Sequence, residues 1–142
     1  MLSETTGDIF SFIGTHKIVI PTNCMGVMGK GLALQAKERY PGIEDMYKEF
    51  CTNCEGPIPP VSFPEFPDLV LVPTKTHWRL DSDLDFVSRA VHALAKLKGG
   101  PFVLPRLGCG LGKLKWESVK VLYQVFETVD TEWVVITPHK KG

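Results

Sequence analysis

Short apolar runs alternate along this chain with stretches in which apolar residues recur every three or four positions. Lys17-Ile18-Val19-Ile20, Leu69-Val70-Leu71-Val72, Phe102-Val103-Leu104 and Trp133-Val134-Val135-Ile136 have the length and aliphatic content of buried strands. Residues 2–8 form a marginal first strand. Val61-Ser62-Phe63 predicts a short edge strand, because Pro57, Pro59, Pro60, Pro64 and Pro67 around it cannot donate to a ladder. Helical stretches fall between the runs. Gly31–Arg39 is rich in helix formers and stops before Pro41, and a second helical run covers residues 43–50. Ser82-Asp83-Leu84-Asp85 resembles a capping box with Asp in place of Glu. Leu84, Val87, Val91, Leu94 and Leu97 then mark one apolar face, stopped by Gly99-Gly100. Trp116, Val119, Tyr123 and Phe126 mark a similar face. Both stripes are core. This order predicts an α/β fold: a single domain over residues 1–142, built as a three-layer α/β/α sandwich on a mixed, largely parallel sheet. In such sheets ligands bind where strand ends meet helix starts.

Composition narrows the function classes. A chain of 142 residues holds one ordinary domain, and 44% hydrophobic with 23% charged residues excludes a fibrous or largely disordered chain. No apolar stretch approaches the roughly 20 residues of a membrane helix. Met1-Leu2-Ser3-Glu4 lacks the basic start of a secretory signal, so the cytosol is the default location. The formal net charge of zero argues against holding long nucleic acid by bulk electrostatics. Residues 1–70 are acidic and residues 71–142 basic, which allows either a local basic face for a short anion or a scatter of solvated charges. Of the four cysteines, Cys51-x-x-Cys54 has the spacing of half a zinc site or of a redox pair. Cys24 and Cys109 stand alone, however, and the pair follows a helical run instead of opening one. All four are read as reduced, structural thiols.

The candidate chemistry lies in three segments. Asn23-Cys24-Met25-Gly26-Val27-Met28-Gly29-Lys30-Gly31 follows the first long strand, and Leu107-Gly108-Cys109-Gly110-Leu111-Gly112 follows the third. Glycines allow close backbone approach, and amides exposed beside a helix start suit a phosphate. Two such loops suggest a diphosphate held from both sides. Neither has the spacing of a Walker or a dinucleotide-binding motif, so ATPase and dehydrogenase readings fall. The third segment, Pro73-Thr74-Lys75-Thr76-His77-Trp78-Arg79, places a lysine, a histidine, a tryptophan and an arginine at a strand exit. It is either a catalytic segment, with Lys75 as nucleophile or proton donor, or a polar loop anchored by Trp78.

Together with Gly7-Asp8-Ile9-Phe10 and Leu104-Pro105-Arg106, these segments resemble the macrodomain family over residues 7–138. Within it the resemblance is to the DNA-de-ADP-ribosylating macrodomains of DarG antitoxins, and next to the related terminal ADP-ribose protein glycohydrolases. The resemblance implies an α/β/α fold, ADP-ribose as ligand, no metal and no cofactor. Asp8 and Ile9 would meet the adenine, with Pro138-His139-Lys140 flanking it. Asn23 would lie near the distal ribose, and Gly26, Val27, Met28, Gly29 and Gly31 would wrap that ribose and the diphosphate. Leu107, Gly108, Cys109, Gly110, Leu111 and Gly112 would close over the diphosphate, with Thr74 beside the site. Lys75 occupies the position of the lysine linked to catalysis, as a Schiff-base nucleophile or as an electrostatic catalyst. His77, Trp78 and Arg79 would form a substrate rim, to which Arg106, Lys113 and Lys115 add positive charge.

One departure selects a branch. In the protein-directed branch an aspartate follows Gly-Cys-Gly-Leu; here that position is Gly112. The expected reaction is therefore removal of ADP-ribose from a nucleobase, thymine in single-stranded DNA, by a lysine-dependent route. The alternatives are an ADP-ribose reader without turnover, or a hydrolase of protein-linked ADP-ribose or of ADP-ribose 1″-phosphate. The toxin-binding part of a DarG antitoxin is not in this sequence, which is expected to be a stand-alone hydrolase domain or a piece of a longer protein.

Overall fold

A computed structural model describes residues 1–77 and 79–139. Five strands form its sheet: β1 (Leu2–Thr6), β2 (Lys17–Thr22), β3 (Leu69–Pro73), β4 (Phe102–Leu104) and β5 (Trp133–Thr137). They lie in the order β1-β5-β4-β2-β3, and each pairing between them is parallel. Val61 makes one isolated antiparallel bridge to Leu71, so the edge strand expected there reduces to a single residue among its prolines. Four helices complete the layers: α1 (Gly31–Arg39), α2 (Ile43–Asn53), α3 (Leu84–Ala95) and α4 (Trp116–Lys120). Among the described residues no helix is long and apolar enough to cross a membrane.

Alternation along each strand explains the unbroken apolar runs. Ile18, Ile20, Leu69, Leu71, Val103, Val134 and Ile136 pack against Ala33 and Ala36 of α1, Ile43 and Tyr47 of α2, and the 3-10 turn Ile9–Phe12. Val19, Val70, Val72, Phe102, Leu104, Trp133 and Val135 point the other way, onto Val87, Val91 and Leu94 of α3 and onto Val119, Tyr123 and Phe126. The strands β2 to β5 are covered on both faces, whereas the edge strand β1 exposes Ser3, Glu4, Thr5 and Thr6. In the second layer Trp133 stacks between Phe102 and Phe126, at ring-centroid distances of 4.5 and 4.3 Å.

Two helix boundaries differ from the sequence reading. Asp83, not Ser82, caps α3, its Oδ1 accepting from the Asp85 amide at 2.8 Å. The Ser82 hydroxyl is turned away to Thr74. The helix then ends at Ala95, before the two glycines. The last stripe does not form one helix either: α4 stops after five residues and a 3-10 segment, Leu122–Thr128, carries on. The β-branched Val119, Val121 and Val125 lower the helical propensity there, while Val119, Tyr123 and Phe126 stay buried.

The connections open a cleft. The chain leaving β2 enters α1 on one layer, and the chain leaving its neighbour β4 enters α4 on the other. Their carboxyl ends therefore part at a topological switch point. Buried Tyr123 props the exit of β4, donating to the Pro105 carbonyl at 2.6 Å and accepting from the Leu107 amide at 2.8 Å. Tyr123→Phe leaves both backbone groups unpaired and is expected to lower stability by about 1–3 kcal/mol. Urea unfolding checks this through a lower midpoint at an unchanged slope.

Candidate active site

The first glycine loop runs from the end of β2 into α1 and is held from within. The buried Asn23 side chain accepts from the amides of Met25 (3.0 Å) and Val27 (3.2 Å) and donates to the Val27 carbonyl (2.9 Å). Asn23 thus shapes the loop. Gly26 has a φ of +75°, and a Cβ there would come to 2.7 Å from Lys48 Cα, so the loop rests on the backbone of α2. Met28 enters the core, and its amide donates to Glu44 Oε2 at 2.7 Å. Lys37 and Lys48 flank that carboxylate at 3.1 and 3.6 Å. Burial pushes the Glu44 carboxyl up, but the Met28 N–H and the two ammonium groups outweigh it and leave its pKa below the ordinary value.

What remains open faces the cleft. Among the described residues the amides of Gly29, Lys30 and Gly31 have no protein acceptor, and Lys30 at the start of α1 makes no side-chain cap. These donors and the positive end of the helix suit a phosphate. The second loop offers the same from the other side. Leu107 is buried and tied to Tyr123, and the Cys109 amide turns back to the Arg106 carbonyl at 3.1 Å. The exposed amides of Gly110 and Leu111 have no protein acceptor among the described residues. The two loops meet where Leu111 Cδ1 covers Gly31, 3.1 Å from where its Cβ would stand.

Lys75 lies beside the first loop, beyond the edge strand next to β2. It follows buried Thr74 at the exit of β3, is half-buried, and accepts the Cys24 amide on its carbonyl at 3.1 Å. Among the described residues no carboxylate pairs with its ammonium group. His77 Nδ1 accepts from the Arg79 amide at 3.1 Å and the His77 carbonyl from the Leu80 amide at 3.0 Å. Trp78 and Lys140 lie outside the described residues.

The other expected contributors are spread around this centre. Asp8 sits at the end of β1, exposed, with Oδ1 accepting from the Phe10 amide at 2.9 Å. Ile9 beside it is buried. Two of the basic rim residues have contacts of their own. The Arg106 guanidinium stacks 4.6 Å over the Trp116 ring, and Lys113 lies 3.8 Å from Asp81. Burial pushes the thiols of Cys24, Cys51 and Cys109 up, so all three are protonated at neutral pH and none is a poised nucleophile. The four cysteines are free. The sequence does not mark Glu44, marks Tyr123 only as a core position and marks Ser82 only as part of a capping box. Their partners are 16, 16 and 8 positions away, and no local spacing marks these contacts.

No family model matches the chain. Over its whole length it is 32% identical to a DNA ADP-ribosyl glycohydrolase of Mycobacterium tuberculosis and spans 43% of that protein. The solved macrodomain of Mycobacterium tuberculosis DarG superposes with a TM-score of 0.82 at 32% identity, covering 98% of this chain and 99% of that domain. A structure of Thermosipho africanus DarTG in complex with ADP-ribose superposes at 0.79 with 26% identity, covering 99% of this chain and 42% of the other. The chain thus spans less than half the length of the curated relative.

The Glu44 anchor gives a pH-dependent expectation. A carboxyl whose folded pKa lies below its unfolded one stabilises above the unfolded value, and that stability is lost as pH falls through the folded value. Glu44→Gln is therefore expected to lower the melting temperature at pH 7. The gap from wild type should close as pH drops below about 4. Paired thermal melts from pH 7 to pH 3 check it.

Proposed function

We propose that this chain, which belongs to the macrodomain family, is an ADP-ribosyl glycohydrolase that removes ADP-ribose from DNA. The modified base is thymine in a single strand. The observation that carries the reading is Lys75, half-buried and without a carboxylate partner among the described residues, at the exit of β3 with its carbonyl bonded to the Cys24 amide of the first loop.

The roles follow from the geometry. The amides of Gly29, Lys30 and Gly31 on one side and of Gly110 and Leu111 on the other receive the diphosphate. Asp8, at the far end of the cleft beside β5, accepts from the adenine amino group through its carboxylate. The distal ribose then lies toward the exits of β2 and β3, near Asn23 and Lys75. Hydrolysis breaks the bond from the ribose C1″ to the base nitrogen. Water adds its oxygen to C1″, and its proton leaves with the base. Lys75 acts in one of two ways. As an ammonium it stabilises charge on the departing base. As an amine it attacks C1″, holds the opened sugar as an imine, and is released by water. The relative from Mycobacterium tuberculosis is named for this same bond class. Gly112 favours the DNA substrate, since it offers no carboxylate beside the scissile bond.

A side-by-side assay tests the reading. Wild type and Lys75→Ala are each given single-stranded DNA carrying ADP-ribosyl-thymine and a protein carrying glutamate-linked ADP-ribose. Wild type is expected to release ADP-ribose from the DNA alone, and Lys75→Ala to lose at least about 100-fold in kcat. Trapping with borohydride separates the imine route from the electrostatic one. Cleavage of the protein substrate would overturn the DNA assignment. Binding of ADP-ribose with no cleavage of either would make this chain a reader.

A further inference from the structure

The reason position 112 is a glycine lies in the structure, and it points to a residue outside the site described so far. Gly112 does not need its backbone freedom; it needs space. A Cβ there would stand 2.1 Å from Ser82 Oγ, 2.7 Å from Ser82 Cβ and 2.6 Å from the Gly108 carbonyl oxygen. Gly108 meets the same neighbour: its Cβ would lie 3.1 Å from Ser82 Cβ and 2.8 Å from Leu114 Cδ1. Ser82 therefore fills the room behind the second glycine loop at both of these positions.

Ser82 also closes the loop that carries Lys75. Its amide donates to the Gly112 carbonyl at 3.0 Å, and its hydroxyl pairs with Thr74 Oγ1 at 3.2 Å. The next amide, of Asp83, donates to the Thr74 carbonyl at 3.2 Å. Thr74 is in turn fixed to the sheet by its amide on the Thr22 carbonyl at 3.0 Å. Thr74 and Ser82, 3% and 8% exposed, thus form the neck of a loop over residues 75–81, and the neck is docked on Gly112. Lys75 is the first residue beyond it.

We propose that Ser82 is a positioning residue for the cleavage, a latch that docks the neck of the Lys75 loop on the second glycine loop and occupies the space any side chain at position 112 would take. The proposal rests on the Lys75 reading above. It makes the site a lysine site by construction: while Ser82 and Gly108 hold their places, no carboxylate can be installed at 112. A buried pair of hydroxyls with a shared backbone dock is a suitable device, because a small shift of an aimed group near the reacting atoms lowers rate more than affinity.

A double-mutant cycle tests it, with Ser82→Ala, Lys75→Ala and the pair measured by single-turnover cleavage of ADP-ribosyl single-stranded DNA. Ser82→Ala is expected to lower the rate about tenfold while the affinity for free ADP-ribose stays within about twofold. In the Lys75→Ala background the same change is expected to do nothing further, because the latch acts through the lysine. An equal proportional loss in both backgrounds, or weaker ADP-ribose binding at unchanged rate, would overturn the positioning role. Amide hydrogen exchange keeps the two readings apart. Faster exchange at residues 82 and 83 in Ser82→Ala is expected from a loosened neck, and wild-type rates there would remove the latch alone. A wild type that cleaves neither substrate removes the Lys75 reading, and the positioning role falls with it.

Discussion

A parallel strand returns to its neighbour only through a crossover, so this sheet carries a layer on each face, and β2 and β4 must hand their chains to opposite layers. The cleft between their carboxyl ends is a consequence of that geometry. So is the polarity of the site. Strand ends there release backbone amides that have no ladder partner, and α1 adds the positive end of its dipole. An anionic ligand is favoured before any side chain is considered.

The side chains then decide which amides remain open. Asn23, Glu44 and Tyr123 each take backbone groups of the two loops, and each is buried or nearly so. Their work is to fix loops that glycine would otherwise leave loose. Glycine at positions 26 and 31 gives the backbone turns no other residue adopts without strain, and the anchors remove the freedom that comes with them. A ligand then meets a site already ordered, which lowers the entropy lost on binding.

Much of this was legible from the sequence. The four apolar runs are strands because both faces are covered and no polar position interrupts them. Val87, Val91 and Leu94 of α3 and Val119, Tyr123 and Phe126 of the last segment are core, as their spacing implied, but Leu84 in the first turn of α3 is exposed and Leu97 lies beyond the helix, partly buried. The glycine loops stood out because their composition is unusual at strand exits. What could not be read was set by contacts distant along the chain. Ser82 has the chemistry of a helix cap, yet Asp83 caps α3, because the Ser82 hydroxyl meets Thr74 across the neck of a loop. Glu44, in the first turn of α2, anchors a loop 16 positions earlier, and nothing in the local sequence marks it for that. Gly112 was visible as a departure from a motif, but the reason for it, a serine hydroxyl in the space of its Cβ, exists only in three dimensions.

That last contact also couples three positions that lie apart in the chain. A Cβ at 112 would meet both the Ser82 side chain and the Gly108 carbonyl oxygen, so a side chain there needs the serine and the turn at Gly108 to give way together. The tolerance of each of these positions is set by the other two, and changes among them do not add.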